Sequence, residues 1–401
     1  MSHLDSPIIK TLRFLWFTPG NKEVWGLPAL YRAQPGTSKT SIGRFAAKVF
    51  GMPCKTLSPG LHGEGAFGVV MTPMKHGDRT YLDAPPPFWV RAFRDAADQP
   101  IPSVLICDEV LTAPPGLRAP MLAMIDERTV GECFLGAPCR VIGFTNDADE
   151  SGGDDLLPPM ANRFMHPLWH APNVEQWSSF VMAGENLSDV KAELDPIAEQ
   201  NRVLKLWPSA YATASALVTS YLRANPSDLH RQPKIGDPGA SKAWASRRSW
   251  ELAVRVLAGA KIHGIDEAET FSYVEATVGE AVSSKFVEYL KKMDLPTPED
   301  VLDGKVQILP IDPTRLDKTY VVLESCAAFL TNTKTKKVKA REETMWDILG
   351  KIAAVTPDVI LRPSTVLAKA NIIPTMQALP VLAKNKDLAL LFSKYSAGSK
   401  P

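Results

Sequence analysis

The stretch Ala33-Gln34-Pro35-Gly36-Thr37-Ser38-Lys39-Thr40-Ser41 decides how this chain is read. Before it stands a short apolar segment, Gly26-Leu27-Pro28-Ala29-Leu30-Tyr31, which reads as a buried strand. After it comes Ile42–Phe50, with Ile42, Phe45, Ala46 and Val49 at helical spacing. Strand, turn with Gly and Lys-Thr, then helix is an arrangement that holds phosphate, because backbone N–H groups of the loop and the helix N-terminus point at the anion. Lys39 would reach the outer phosphates and the Thr40 hydroxyl a magnesium ion, with Pro35, Gly36, Thr37, Ser38 and Ser41 completing the cradle. The full pattern G-x-x-x-x-G-K-[ST] asks for glycine at positions 33 and 38. Here these are Ala33 and Ser38, and only Gly36 remains. A surface turn carrying a lysine is the alternative these residues alone leave open.

The downstream strands supply what the loop needs. Ser103–Cys107 is a continuous apolar run, as suits a strand buried on both faces, and it ends in Asp108-Glu109. Asp108 would hold the metal through water, and Glu109 would polarise the attacking water. A further buried strand, Val141–Thr145, ends in Asn146, which could orient the same water or touch the γ-phosphate. Ligands of open α/β sheets sit at this carboxyl edge. Cys54–Leu57 reads as another strand, and Leu117–Glu127 and Phe88–Ala97 as helices. A hairpin is expected around His76-Gly77-Asp78. Strands alternating with helices over the first ~170 residues predict an α/β fold with a parallel sheet. After Trp177 the pattern is helical, over Val190–Leu206, Ser209–Leu222, Ala245–Ala260, Glu267–Met293, Thr319–Leu330, Glu343–Val355 and Ser364–Ala370. The expected divisions are 1–172 for the nucleotide-binding domain, 173–294 for a helical lid, and 295–401 for a Pro-rich linker with a helical extension.

Composition narrows the function classes. The 401 residues are 45% hydrophobic and 22% charged, which is ordinary globular composition. Forty-five Lys+Arg against 44 Asp+Glu give a net charge of +1, so there is no global drive toward nucleic acid or an anionic membrane. No apolar run reaches the ~18 residues of a bilayer span, and the first ten residues lack a secretory pattern. Five cysteines, an odd number, read as reduced thiols and a cytoplasmic setting.

The order of these motifs resembles the AAA+ ATPases, and within them the MoxR-like group near the magnesium-chelatase and Rubisco-activating branches. Pro35–Ser41 is similar to that group's relaxed Walker A loop, and Val104–Glu109 to Walker B. Glu127–Glu132, then Phe144–Asp147, resemble the hairpin before sensor 1 and sensor 1 itself. Leu157–Phe164 resembles the segment that carries the arginine finger, which assigns that role to Arg163. Ser246–Glu251 resembles sensor 2, where Arg248 fits better than Arg247. The likeness covers roughly residues 20–290. It implies ATP and Mg²⁺ as ligands, a P-loop AAA+ core followed by a helical lid and a helical C-terminal extension, a hexameric homo-oligomer, and a protein client, with a von Willebrand factor A-domain protein as the suggested partner. It also implies that residues 60–87 are an insert in helix 2 whose hairpin faces the ring pore, with Phe67, Met71 and Met74 as client-gripping tips. An ordinary hairpin covering the domain edge fits the same pattern.

Other residues carry weaker signals. His166 and His170 have an i,i+4 spacing that a metal pair would use on a helix, but Pro167 interrupts and no third ligand is near. Cys133 and Cys139 could face one another across a short hairpin, without the second pair zinc needs. The basic run Lys334–Arg341 reads as a solvated loop, and the tryptophans at 169, 177, 207, 244 and 250 as core of the helical lid. The functions in competition are an ATP-hydrolysing remodelling motor, a nucleotide-gated binding module with weak or no hydrolysis (motivated by Ala33 and Ser38), and a DNA-acting AAA+ protein, which the neutral charge disfavours.

Overall fold

The structure is a computed structural model that describes residues 3–21, 24–83, 85–146, 155–183, 190–237, 239–293, 295–308, 312, 315–332 and 338–374. Asp147, Asp154 and Lys334–Lys337 lie outside the described residues. The chain divides into two compact units, Met1–Val203 with Leu229–Ser283, and Leu204–Asp228 with Ser284–Pro401.

The first unit opens with helix α1 (Pro7–Phe17), followed by β1 (Ala29–Arg32), α2 (Lys39–Val49) and β2 (Cys54–Leu57). The hairpin strands β3 (Thr72–His76) and β4 (Arg79–Asp83) come next, then β5 (Ser103–Cys107) and α3 (Pro115–Glu127). A second hairpin, β6 (Thr129–Val130) with β7 (Cys133–Phe134), leads into β8 (Cys139–Thr145). Four strands form one parallel sheet in the order β1-β8-β5-β2. The two central strands are buried at every position, which is why their sequences read as unbroken apolar runs. Helix α2 lies close on the sheet because it carries Gly43: a Cβ there would come within 2.8 Å of the Ile106 side chain. Leu30, Leu105, Val141, Met121, Ile125 and Phe164 belong to the core beside the sheet.

Three expectations change in this unit. His166 is not on a helix: Met165 and Leu168 bridge Ala29 and Arg32 in parallel, so the chain there runs extended along the outer edge of β1. The His166 ring instead bonds the Ala161 carbonyl at 2.9 Å. Cys133 and Cys139 do not face one another, since Cys133 pairs with Val130 in the small hairpin while Cys139 opens the central strand β8 beside Ser103. Phe88–Phe93 is a 3₁₀ helix rather than a longer α-helix. Among the described residues no group of His, Cys, Asp and Glu could hold a metal, and all five cysteines are free.

Further along, the short helix α4 (Pro158–Ala161) and α5 (Val174–Ala183) precede α6 (Pro196–Ala224), which absorbs two expected helices and carries Pro208 in its interior. Then come α7 (Arg247–His263), α8 (Glu267–Val278) and α9 (Glu280–Lys292). The last two were expected as one helix. Gly279, at φ +84, breaks them apart. Helix α7 starts from a capping box in which Ser246 and Ser249 bond each other's backbone N–H groups.

The second unit is helical. α10 (Pro298–Leu302), α11 (Leu316–Asn332), α12 (Val338–Ala353) and α13 (Pro357–Lys369) bury Leu302, Leu323, Trp346, Leu349, Ile360 and Leu367 in one cluster. The Pro-rich segment read as a linker thus contributes a helix to a core. Arg341, read as part of a solvated loop, lies on α12, where its guanidinium forks onto Asp303 at 2.8 and 3.1 Å. Among the described residues no helix is long and apolar enough to cross a membrane.

Candidate functional site

The turn between β1 and α2 is shaped by two residues of positive φ, Gly36 at 77° and Ser38 at 60°. Position 38 is where the phosphate-loop pattern asks for glycine, and the reason is visible: the backbone there is left-handed, a conformation that costs a side chain roughly 1–2 kcal/mol. Ser38 adopts it nonetheless. Ala33, the other departure, has no positive φ and donates its N–H to the Thr145 carbonyl at 3.1 Å, so a Cβ is no burden there.

Lys39 opens α2 and is buried. Its Nζ donates to the carbonyls of Ala33 and Gln34 at 3.0 and 2.9 Å and to the Asn146 Oδ1 at 2.9 Å. Thr40, one residue on, donates its hydroxyl to the Asp108 carboxylate. Asp108 and Glu109 follow β5 directly, and Asn146 follows β8, so β1, β8 and β5 deliver their terminal residues to one edge of the sheet. Glu109 is held at φ 56°, a second strained non-glycine position at this edge. The Ser58 hydroxyl donates to its Oε2 at 2.7 Å. The geometry therefore brings together Lys39, Thr40, Asp108, Glu109 and Asn146.

Two more residues belong to this edge and were not read from the sequence. Ser58 follows the end of β2, and a polar residue at a strand's carboxyl end is the same signal that marked Asp108 and Asn146. Trp169, read as core of the lid, donates its indole N–H to the Thr37 carbonyl at 3.0 Å and packs edge-on against Tyr31 and Phe144. No pattern in the sequence announces that contact. Trp177 is exposed rather than core.

Arg163 and Arg248 stand elsewhere. Helix α3 leaves the carboxyl edge after β5 and returns to the amino edge, where Arg128 donates to the carbonyl of Gly26, just ahead of β1. Arg163 pairs there with Asp126 at 3.2 Å and approaches Glu127 at 3.8 Å. Asp155 pairs with Arg32 rather than with Arg163. Arg163 and Arg248 line one cavity of about 420 Å³ with Asp126, Glu127 and Arg128. A strand length, roughly 15 Å or more, separates this edge from the phosphate loop. Arg247, beside Arg248, is exposed and does not line the cavity.

The hairpin of β3 and β4 is exposed at all positions and pairs only with itself. It presents Met71, Met74, Tyr81 and Leu82 to solvent. Phe67, expected among these tips, is instead fully buried in the core.

No protein-family profile and no curated protein matches the sequence. Among solved structures the chain is similar to a candidate ATPase from Cytophaga hutchinsonii, with a TM-score of 0.46 and 16% identity over 71% of this chain and 88% of that one. A likeness at that level carries no functional argument.

Proposed function

We propose that this chain binds ATP with Mg²⁺ at Pro35–Ser41 and hydrolyses it, as an AAA+ ring protein of the MoxR type that remodels a protein partner. The observation that carries the reading is the convergence of Lys39, Thr40, Asp108, Glu109 and Asn146 on one sheet edge. Thr40 and Asp108 would hold the metal. They offer a hydroxyl and a carboxylate already in contact, hard oxygen donors of the kind magnesium takes. When bound, the ion neutralises charge on the phosphates. Lys39 would exchange its carbonyl partners for phosphate oxygens, and Asn146 keeps its ammonium aimed at them. Glu109 orients the attacking water, with one carboxylate oxygen fixed by Ser58.

Arg163 and Arg248 act on the nucleotide of a neighbouring copy. Both belong to the amino edge, away from their own loop, so a second chain must bring them to a phosphate. Assembly into a closed ring, with six members by the resemblance, would let every copy supply these arginines to the next. The exposed apolar hairpin is the element that would grip a client, with a von Willebrand factor A-domain protein the partner the resemblance suggests. The non-hydrolysing alternative rested on Ala33 and Ser38. Ala33 takes an ordinary φ, and Ser38 keeps the left-handed backbone that glycine would take there, at a cost in strain; this supports a loop still shaped for phosphate.

Steady-state ATP turnover, measured beside binding of a fluorescent ATP analogue, tests the proposal. Glu109→Gln should bind and fail to turn over, whereas Lys39→Ala should lose binding. Wild-type protein that binds ATP without releasing phosphate would move the reading to a nucleotide-gated module.

A further inference from the structure

Arg128 is the cation of the amino-edge cavity that its own surroundings leave unsatisfied. It is 1% exposed, and of its guanidinium only Nη2 is engaged, on the Gly26 carbonyl at 3.0 Å. Its Nε and Nη1 are buried without a hydrogen-bond partner. Burial lowers its pKa to about 10, which leaves it cationic at neutral pH. The thiols nearest it, Cys107 and Cys139, are pushed up by burial and stay neutral, so they do not compensate the charge. A buried cation with two idle donors is costly unless an anion completes it. Arg163 and Arg248 line the same cavity, and Asn21 adds a buried Oδ1 that also lacks a partner. The two carboxylates present, Asp126 and Glu127, lie against Arg163; Asp126 also attracts the Arg128 charge, without bonding its idle donors.

We infer that this cavity is a binding site for a phosphate-type oxyanion, separate from the phosphate loop, in which Arg128 and Arg248 hold the ligand and Arg163 leaves Asp126 to join them. Three guanidinium groups from different elements suit a tetrahedral anion with several oxygens better than a planar carboxylate. The unpaired Asn21 acceptor suits a protonated phosphate oxygen. Free phosphate in this cavity would then compete with a neighbouring copy for Arg163 and Arg248. Binding itself does not depend on what the phosphate loop does.

The test uses full-length Lys39→Ala protein, in which the loop site is disabled, titrated with inorganic phosphate by calorimetry at low ionic strength. Saturable binding is expected. Arg248→Ala in that background should weaken it at least tenfold, Asp126→Asn should tighten it severalfold by removing the carboxylate that competes for Arg163, and the exposed neighbour Arg247→Ala should change it less than twofold. Arg128→Met should abolish it. If that variant does not fold, Arg248→Ala and Asp126→Asn still decide. Phosphate binding that is non-saturable, that is insensitive to Arg248→Ala, or that acetate matches at equal concentration would overturn the inference. Whether wild-type protein binds ATP is read separately, so failure here and failure at the loop are distinguishable.

Discussion

The Ser58 hydroxyl donates a 2.7 Å hydrogen bond to Oε2 of Glu109, tying the end of β2 to the residue that follows β5 plus one. The contact fixes one carboxylate oxygen and leaves the other to take a water. Ser58→Ala should therefore lower ATP turnover roughly ten- to hundredfold, the value of one hydrogen bond to a charged group, while leaving nucleotide affinity unchanged. Parallel measurements of kcat and of the analogue's Kd check it. A fall in affinity with kcat intact would place Ser58 among the binding residues instead.

Ser38 sits at φ 60° where glycine would be unstrained. Ser38→Gly should relieve the left-handed penalty, offset in part by the larger unfolded-state entropy of glycine, for a net gain of about 0.5–1 kcal/mol. A rise of about 1–3 °C in the Tm of the transition that reports the first unit is expected. A lower Tm would mean that the Ser38 side chain holds the loop.

Much of this was legible in the sequence, and the reasons are physical. β5 is legible to the residue because a strand buried on both faces is an unbroken apolar run with a sharp polar end. Such polar ends marked Asp108 and Asn146. β2, an edge strand of Cys-Lys-Thr-Leu that is buried only at Leu57, carries no such run. Helix boundaries in the second half were harder. Pro208 suggested a break inside α6, yet the helix continues through it, and Gly279 gave a break where the apolar pattern ran on. Contacts made across large sequence distances left no trace: nothing near Trp169 points to Thr37, 132 residues away, or near Arg341 to Asp303. The cavity shared by Arg163 and Arg248 is of this kind too. The sequence marks each arginine by its own motif, and only folding brings them to one place.

Two buried histidines make the first unit acid-labile. Burial lowers both His166 and His263 to about 4, against an ordinary value near 6.5. The folded state thus binds fewer protons than the unfolded one between these values. The stability this provides is complete above about pH 6.5 and is lost as pH falls toward 4. Denaturant midpoints should decline over that window, and His263→Gln should flatten the decline. Glu199 enters later: burial raises its pKa, but hydrogen bonds from Arg202 and Arg13 outweigh this and hold it at about 2, so its contribution is lost only below its ordinary range. A midpoint constant from pH 7 to 4 would contradict the assignment.

The proposed catalytic site is assembled from two copies, with the phosphate loop on one and Arg163 on the other. Loss of such an arginine costs ~10³-fold or more in turnover, so even partial recovery is easily seen. The decisive measurement mixes Lys39→Ala protein with Arg163→Ala protein, each nearly inactive alone, and follows ATP turnover with co-assembly confirmed. Activity restored on mixing is the predicted result, because some interfaces then pair an intact loop with an intact Arg163. Co-assembled mixtures that stay as inactive as their parents would contradict it and leave Arg163 as the structural partner of Asp126.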